Sequence, residues 1–252
     1  MILVLRRPRA EHWREHSDLA ITRLMVLLTF GTGVVDAASY LGLHKVFTAN
    51  MTGNVVFIGL GLAGHDDLPI LRSLMALVGF LLGALVAGRY QRAVPIGLRC
   101  PTRTVHLFGT VAVLLAVLTV TFAFWHPGAH GLDAVTAVFG LAMGMQAGAA
   151  RQLAVTDVST VVVTSAIVSL AADSRFGGRN RNRQLRRLGA GAAMCVGALV
   201  GALLLKIHLT VPLALATLTA VAVTYSLAML SRSELAVQAT SVGQPGSPDL
   251  LS

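Results

Sequence analysis

Long runs of apolar residues recur along most of this chain, and their length constrains the fold more than any other feature. A helix needs about 20 predominantly apolar residues to cross the core of a bilayer. Only 12% of the residues are charged, whereas a soluble domain has about 25%, so the chain cannot cover a water-facing surface. The sequence therefore predicts an all-α polytopic membrane protein. Six runs approach the spanning length, near 21–43, 70–90, 104–125, 132–153, 188–207 and 211–230.

Two further apolar pieces, 47–63 and 156–171, are shorter and begin with polar residues. Loops that carry Lys and Arg stay in the cytoplasm. If all eight segments crossed, with the N-terminus inside, the basic loop 89–103 would lie outside. If the two short pieces are re-entrant, this loop, the N-terminus and the basic loop 173–187 all face the cytoplasm. We therefore predict about six full spans and two short segments; a seven-span arrangement, with one short piece crossing, is the alternative.

The two halves of the chain, 21–125 and 132–230, share one order of segments: a long span, a short polar-started piece and two spans. A local match, Gly83–Val86 with Gly197–Val200, supports the pairing. Because three spans lie in each half, the halves would have opposite orientations, as in the inverted repeats of many transporters. We predict one bundle over 21–232, preceded by a cytoplasmic arm, 1–20. The tail 233–252 is rich in Ser, Gln, Pro and Gly and is expected to be disordered and cytoplasmic.

Asp36 is the most unusual residue of the spans, because a carboxylate deep in a membrane helix costs about 2.5 to 3.5 kcal/mol on insertion scales. It needs a partner, a water-filled cavity or a proton. One interpretation is a group that binds a proton or a cation. The other is a structural carboxylate that accepts hydrogen bonds from a neighbouring segment.

Uncharged polar side chains follow Asp36 at Asn50, Thr52 and Asn54, where the first short segment starts. They could line a solute path at a helix start, or they could only cap the helix that follows. In the second half, Gln146 and Thr164 occupy comparable places. We predict that these five residues and Asp36 form a substrate-binding set. Arg151 is either a counter-charge for Asp36 or an anchor at the cytoplasmic boundary.

Several classes of function find no support in the residues. The net charge of +9 is accounted for by membrane topology, so no nucleic-acid partner is expected. Two isolated cysteines and scattered histidines give no metal-ligand spacing, and no motif of a hydrolase or nucleotide-binding protein is present. We therefore expect neither an enzyme nor a cofactor or metal site.

The runs Gly33–Tyr40 and Phe47–Asn54 resemble the signature of the YoaK-like bacterial membrane proteins, the domain-of-unknown-function family 1275. Gly144–Ala147, with Arg151 after it, is similar to the second half of that family, although Thr164-Ser165 replaces its usual Thr-Gly. The resemblance implies an inner-membrane protein of bacterial type and supplies no activity.

The prediction is a multi-pass protein of the cell inner (plasma) membrane, with both termini in the cytoplasm. Its partners would be the lipid bilayer and an unknown small solute or ion, with a homo-oligomer left open. The first hypothesis is a transporter or permease with its site at the repeat interface. The alternative is a non-transport binding or assembly protein whose polar segments only hold helices together.

Overall fold

The computed structural model of this chain describes residues 8–65, 68–92, 100–125, 127–153 and 181–242. Every regular element within those ranges is an α-helix, in keeping with the abundance of Ala and Leu, which are strong helix formers. The helices, numbered α1 to α7, are Pro8–Gly42, Met51–Leu62, Ile70–Gln91, Thr102–Phe124, Ala129–Gln152, Arg181–Leu205 and Thr210–Val242.

Six of these helices, all except α2, are long and apolar enough to cross a membrane. Their outward faces carry large apolar side chains, such as Leu81, Val113 and Leu218, that are more than half exposed. In water such a surface would be costly, whereas in a bilayer it contacts lipid tails. The predicted polytopic all-α fold is therefore confirmed.

Glycine-mediated contacts join α3 to α5 and α1 to α6, and they show the direction of each helix. Along α3, Gly79 lies against Ala137 and Gly83 against Leu141, so residue numbers rise together and the two helices are parallel. The pair α1 and α6 is also parallel, because Phe30 lies against Gly197 and Val34 against Gly201. The small residues allow the backbones to come close, which is the usual basis of tight helix packing in membranes.

Helix α7 runs antiparallel to both α1 and α4. Leu209, which directly precedes α7, lies against Gly42, and Thr219 of α7 lies against Gly31 of α1, so the numbers rise in opposite directions. Contacts of Thr119 with Thr217 and of Thr102 with Ser231 give the same result for α4. Helices α1 and α4 therefore run in the same direction.

Helix α3 runs opposite to α4, since Gln91 at its end donates to Thr104 at the start of α4. It follows that α1 ends and α3 begins at the same end of the bundle. The intervening residues 43–69, which include α2, return to the side from which they came. With 12 residues, α2 is about 18 Å long, too short for a hydrocarbon core of about 30 Å. The second predicted short segment, 156–171, lies outside the described residues.

The two ends of the bundle differ in charge. We call the end where α3 and α5 finish and α4 begins the arginine-rich end, because its described residues include Arg89, Arg92, Arg103 and Arg151. The basic residues described at the opposite end are Lys45, Arg72 and Lys206, and Arg72 forms an ion pair with Asp133. This ion pair joins the first turns of α3 and α5.

The structure corrects the predicted tail and shows how the predicted arm continues. Residues 8–20 of the expected arm form the start of α1, which continues without a break to Gly42. Residues 233–242 of the tail, expected to be disordered, instead continue α7. Glu234 is only 4% exposed, and its Oε2 accepts the N–H of Cys100 at 2.8 Å. Leu, Ala, Glu and Gln favour helix in this stretch, and residues 243–252 lie outside the described part.

Candidate functional site

Asp36 lies at the corner between α1 and α2, a name we give to Asp36, residues 47–50 and Asn54. Its side chain binds the residues that directly precede α2. The residue is 4% exposed. Its Oδ1 accepts backbone N–H groups from three consecutive residues, Ala49 at 2.8 Å, Thr48 at 3.2 Å and Asn50 at 3.4 Å. These residues directly precede α2, where N–H groups lack partners within the helix. A carboxylate from α1 thus binds the residues that lead into α2, next to the helix end that favours negative charge.

The second carboxylate oxygen of Asp36 is in a different situation. Oδ2 is buried, and it has no hydrogen-bond partner among the residues that the structure describes. Leaving a charged acceptor unpaired in an apolar environment is unfavourable. This oxygen is therefore the atom of the corner that can take up a proton or accept a hydrogen bond from a ligand.

Asn54, on α2, binds the same corner through hydrogen bonds to Phe47. The residue is fully buried. Its Oδ1 accepts the N–H of Phe47 at 3.0 Å, and its Nδ2 donates to the Phe47 carbonyl at 2.5 Å. The hydroxyl of Thr48 also contacts that of Ser39 at 3.3 Å. The Asn54 amide thus satisfies both backbone polar groups of Phe47, which lie outside any helix.

Aromatic rings close the corner on its apolar side. The ring of Phe47 stacks on Tyr40, with centroids 4.8 Å apart, and on Phe57, with centroids 6.0 Å apart. It also lies directly over Gly53, where a Cβ atom would come within 2.7 Å of the ring. Gly53 is thus required for the close approach of Phe47.

The chain reverses just before this corner through two residues with positive φ. His44 and Lys45 both have φ of 63°, the left-handed region that non-glycine residues rarely adopt. Such a conformation persists only where its surroundings hold it. The contacts of Asp36 and Asn54 with the residues that follow provide that support.

A second polar group lies at the centre of the bundle. Gln146 on α5 donates from Nε2 to Oγ1 of Thr32 on α1, at 3.0 Å. These two side chains and Thr219 on α7 line a cavity of about 10 Å³, enough for about one water molecule. The lining residues come from α1, α4, α5 and α7: Leu28, Gly31, Thr32, Val35, Leu115, Met143, Gln146, Ala216, Thr219 and Ala220.

The predicted set of binding residues is therefore divided between different places. Asp36 and Asn54 are buried at the corner, and Gln146 lies in the centre. Asn50 and Thr52 lie on the surface, where Oγ1 of Thr52 donates to Oδ1 of Asn50 at 2.7 Å. The sixth member, Thr164, lies outside the described residues. Asp36 does not line the central cavity, although it is one helical turn from Thr32.

Arg151 does not neutralise Asp36, whose Oδ1 is bonded to backbone N–H groups. Instead it lines an open cleft of about 540 Å³ at the arginine-rich end, with Gln91 and Arg92. This position favours the interpretation of Arg151 as an anchor at the end of α5. Arginine at a helix C-terminus also interacts favourably with the helix dipole.

Sequence reasoning missed Thr32 and Thr219. A usable signal existed for Thr32, because it precedes Asp36 by four residues and so shares its side of α1. For Thr219 no such signal existed, since α7 also carries Thr210, Thr217 and Thr224. Only the packing of α7 against Gly31 separates Thr219 from the others.

The corner and the centre both lie within a stretch that matches a known protein family. Residues 24–226 match the model of a family described as protein of unknown function, DUF1275. The chain belongs to this family. It is also 31% identical, over 194 residues, to the transmembrane protein YoaK of Bacillus subtilis strain 168. That alignment covers 71% of this chain and 82% of YoaK. No solved structure matches the chain.

Proposed function

We propose that this member of the DUF1275 family is a secondary transporter or permease for a small solute or ion. One observation carries the proposal: the polar centre is enclosed jointly by α1 and α4 of the first half and by α5 and α7 of the second. Transporters built from repeats place their sites where the repeats meet, near the middle of the membrane. Thr32, Gln146 and Thr219 would form that site.

The proposal includes an inverted repeat, in which α5, α6 and α7 correspond to α1, α3 and α4. The direction of each helix supports it, because every helix of the second half runs opposite to its counterpart in the first. Close contacts support it too. Gly33 lies against Met194, as Gly144 lies against Phe80, and Gly197 lies against Phe30, as Gly83 lies against Leu141.

Asp36 would couple transport to a proton through its free oxygen. Ionised, the carboxylate is a strong acceptor for the three N–H groups that precede α2. A proton on Oδ2 would weaken those hydrogen bonds and loosen the corner. Because Asp36 and Thr32 are one turn apart on α1, movement at the corner would reach the centre. Asn50 and Thr52 would contact the solute near the corner, and Thr164 keeps its predicted role in the second half.

We propose that the protein lies in the inner (plasma) membrane of the cell and that its arginine-rich end faces the cytoplasm. The distribution of arginine supports this, because basic residues near span ends are retained inside. Helix α1 starts and α7 finishes at this end, so both termini would be cytoplasmic.

Uptake into proteoliposomes tests the proposal. Purified protein is reconstituted and screened with small solutes and ions, with and without a pH gradient. We expect uptake that an inward proton gradient accelerates. Asp36→Asn should abolish this acceleration, whereas Asp133→Asn, which removes the carboxylate paired with Arg72 at the same end of the bundle, should retain it. Gradient-driven uptake by Asp36→Asn would exclude Asp36 from coupling, and absence of any uptake by folded protein would contradict transport.

A second candidate is a non-transport membrane protein involved in binding or assembly. The contacts of Asp36 and the small size of the central cavity favour it, because both are compatible with polar groups that only fasten helices. It predicts that Asp36→Asn lowers stability or changes the oligomeric state. It also predicts that no solute in the screen raises the melting temperature.

A further inference from the structure

We infer that the transported solute is small and uncharged, and that hydrogen bonds to Thr32, Gln146 and Thr219 recognise it. This inference rests on the proposed transport function and names its substrate class. The reasons lie in the charge of the central cavity, in its hydrogen-bonding groups and in its size.

No charged side chain is among the described residues that line the central cavity. An ion held in a low-dielectric interior needs an opposite charge or many polar ligands. The nearest carboxylate along α1, Asp36, does not line the cavity and is directed at the N–H groups of residues 48–50. The Arg72–Asp133 pair joins the first turns of α3 and α5, at one end of the bundle. The described residues of the centre therefore offer no counter-charge.

The hydroxyls of the cavity mainly offer oxygen atoms as acceptors. Thr32 donates its proton to the Leu28 carbonyl at 2.9 Å, and Thr219 donates its proton to the Ala216 carbonyl at 2.7 Å. The amide of Gln146 adds another acceptor oxygen and N–H donors. A solute with O–H or N–H groups, such as an alcohol or an amide, matches this set. A bare cation would find few oxygens here, whereas selective cation sites use rings of carbonyls or carboxylates.

Size limits the solute further. The cavity of about 10 Å³ holds about one water molecule, so α1 and α7 must separate slightly to admit anything larger. These two helices touch at Gly31, where a Cβ atom would come within 2.5 Å of the Thr219 hydroxyl oxygen. A solute of a few non-hydrogen atoms needs the smallest separation, which points to compounds of the size of urea, formamide or glycerol.

Flux measurements on the same proteoliposomes test the inference. Stopped-flow light scattering would follow entry of urea, formamide and glycerol. Electrical recording would follow currents of sodium, potassium, chloride and formate. We expect faster entry of at least one neutral probe than into protein-free vesicles, and no protein-dependent ion current.

Variants locate the site. Thr219→Val and Gln146→Leu should slow entry of the neutral probe by about tenfold, the effect of losing one hydrogen bond of about 1.4 kcal/mol. Thr219→Ser, which keeps the hydroxyl, should retain the flux. Thr224→Val is the matched control, because Thr224 lies on the same helix and does not line the cavity. Melting curves of each variant would establish that the compared proteins are folded.

Three results would overturn the inference. Ion currents without neutral flux would show that transport occurs and that the substrate class is wrong. Neutral flux unchanged by both Thr219→Val and Gln146→Leu would place recognition elsewhere. Neither flux, in folded protein, would contradict the transport function as well.

Discussion

The two parallel helix pairs, α1–α6 and α3–α5, have the same backbone contacts and different chemistry. In α3–α5, Gly148 lies against Ala87; at the corresponding place in α1–α6, Gly201 lies against Ala37. Gly148 of α5 takes the place of Ala37 in α1, and Ala87 of α3 takes the place of Gly201 in α6. Each pair thus has one glycine and one alanine at this contact, and the close approach of the backbones is present in both. Tight packing therefore requires one small residue at each crossing and leaves the rest of the sequence free.

The chemical difference is greatest next to this crossing. Gly33 and Gly144 make matching contacts and are 111 positions apart, so Ala147 is the counterpart of Asp36. Asp36 binds the residues that precede α2, whereas Ala147 forms part of the wall of the cleft at the arginine-rich end. Packing is thus shared by the two pairs, and the buried carboxylate belongs to one of them.

The largest expected effect is the loss of packing within either pair. At Gly83, an added Cβ would overlap the Leu141 carbonyl oxygen, and at Gly197 it would overlap that of Phe30. Both atoms are backbone, so neither can move without shifting a helix. We expect Gly83→Ala and Gly197→Ala each to destabilise the protein by about 3 kcal/mol or more, seen in detergent as a lower melting temperature.

Gly88→Ala is the control for these variants, because nothing lies within 4 Å of a Cβ at that position of α3. Its melting temperature should equal or exceed that of the wild type, since alanine favours helix. Equal tolerance of alanine at positions 83 and 88 would contradict the close approach of α3 and α5.

Next in size is the effect of removing the carboxylate that distinguishes the two pairs. Asp36→Ala leaves the N–H groups of residues 48–50 without their acceptor, at a cost of about 2 to 3 kcal/mol. Asp36→Asn keeps an acceptor oxygen and should cost about 1 kcal/mol. Hydrogen exchange at residues 48–50 should accelerate strongly in the alanine variant; unchanged exchange there would mean that Asp36 does not bind the residues that precede α2.

A smaller effect is expected for the amide on the other side of the corner. Asn54→Ala removes the two hydrogen bonds to Phe47 and should cost about 1 to 2 kcal/mol. Asn50→Ala alters a surface residue four positions earlier and should change stability by less than about 0.5 kcal/mol. Thermal unfolding of the two variants, side by side, checks the difference, and equal effects would contradict the described corner.

Near neutral pH the smallest effect on stability concerns the arginine-rich end, where Glu234 binds Cys100 before the start of α4 much as Asp36 binds the residues before α2. Burial, with a contribution from Glu234, raises the pKa of the Cys100 thiol to about 12, from an ordinary value of 9.0. In the folded protein the thiol is therefore protonated at pH 8. Its contribution to stability is present below pH 9 and is lost as the pH rises from 9 towards 12.

Alkylation of Cys100 in a Cys195→Ser background measures the difference in thiol pKa between the folded and the unfolded protein. At pH 8 the folded protein should react with a small maleimide much more slowly than the unfolded protein, because the thiolate is the reactive form. The rate should rise between pH 9 and 11 by more than it does for a free thiol. Rapid reaction at pH 8 would contradict the burial of Cys100.

The spans could be predicted because length and apolarity decide whether a helix crosses a membrane. The position of α2 could be predicted as well, because Arg residues bias loops towards one side. The 114-residue spacing between Gly83 and Gly197 agrees with their matching contacts. In contrast, the sequence does not reveal which residue of the second half corresponds to Asp36, since identities in Ala-rich helices do not define the register.

The candidate site was predictable as a place and not as a set of contacts. Asp36 next to the Asn50–Asn54 segment stood out because polar residues are costly in a span. Its actual partners are backbone N–H groups, which every residue except proline carries, so no side-chain pattern reveals them. The helical extension to Val242 is not evident from composition, because the Ser, Gln, Pro and Gly near the end of the chain are typical of disorder, whereas Glu234, Leu235 and Ala236 favour helix.

The parallel pairing of α1 with α6 has a consequence for how the protein is made. The ribosome adds about 5 to 20 residues per second, and α6 begins at Arg181, long after α1 ends at Gly42. After α1 is complete, it stays in the membrane for on the order of ten seconds before its main partner emerges. Helix α3 waits only for α4 and the start of α5. The α3–α5 pair can therefore assemble during synthesis, and the α1–α6 pair, which carries the buried carboxylate, is completed last.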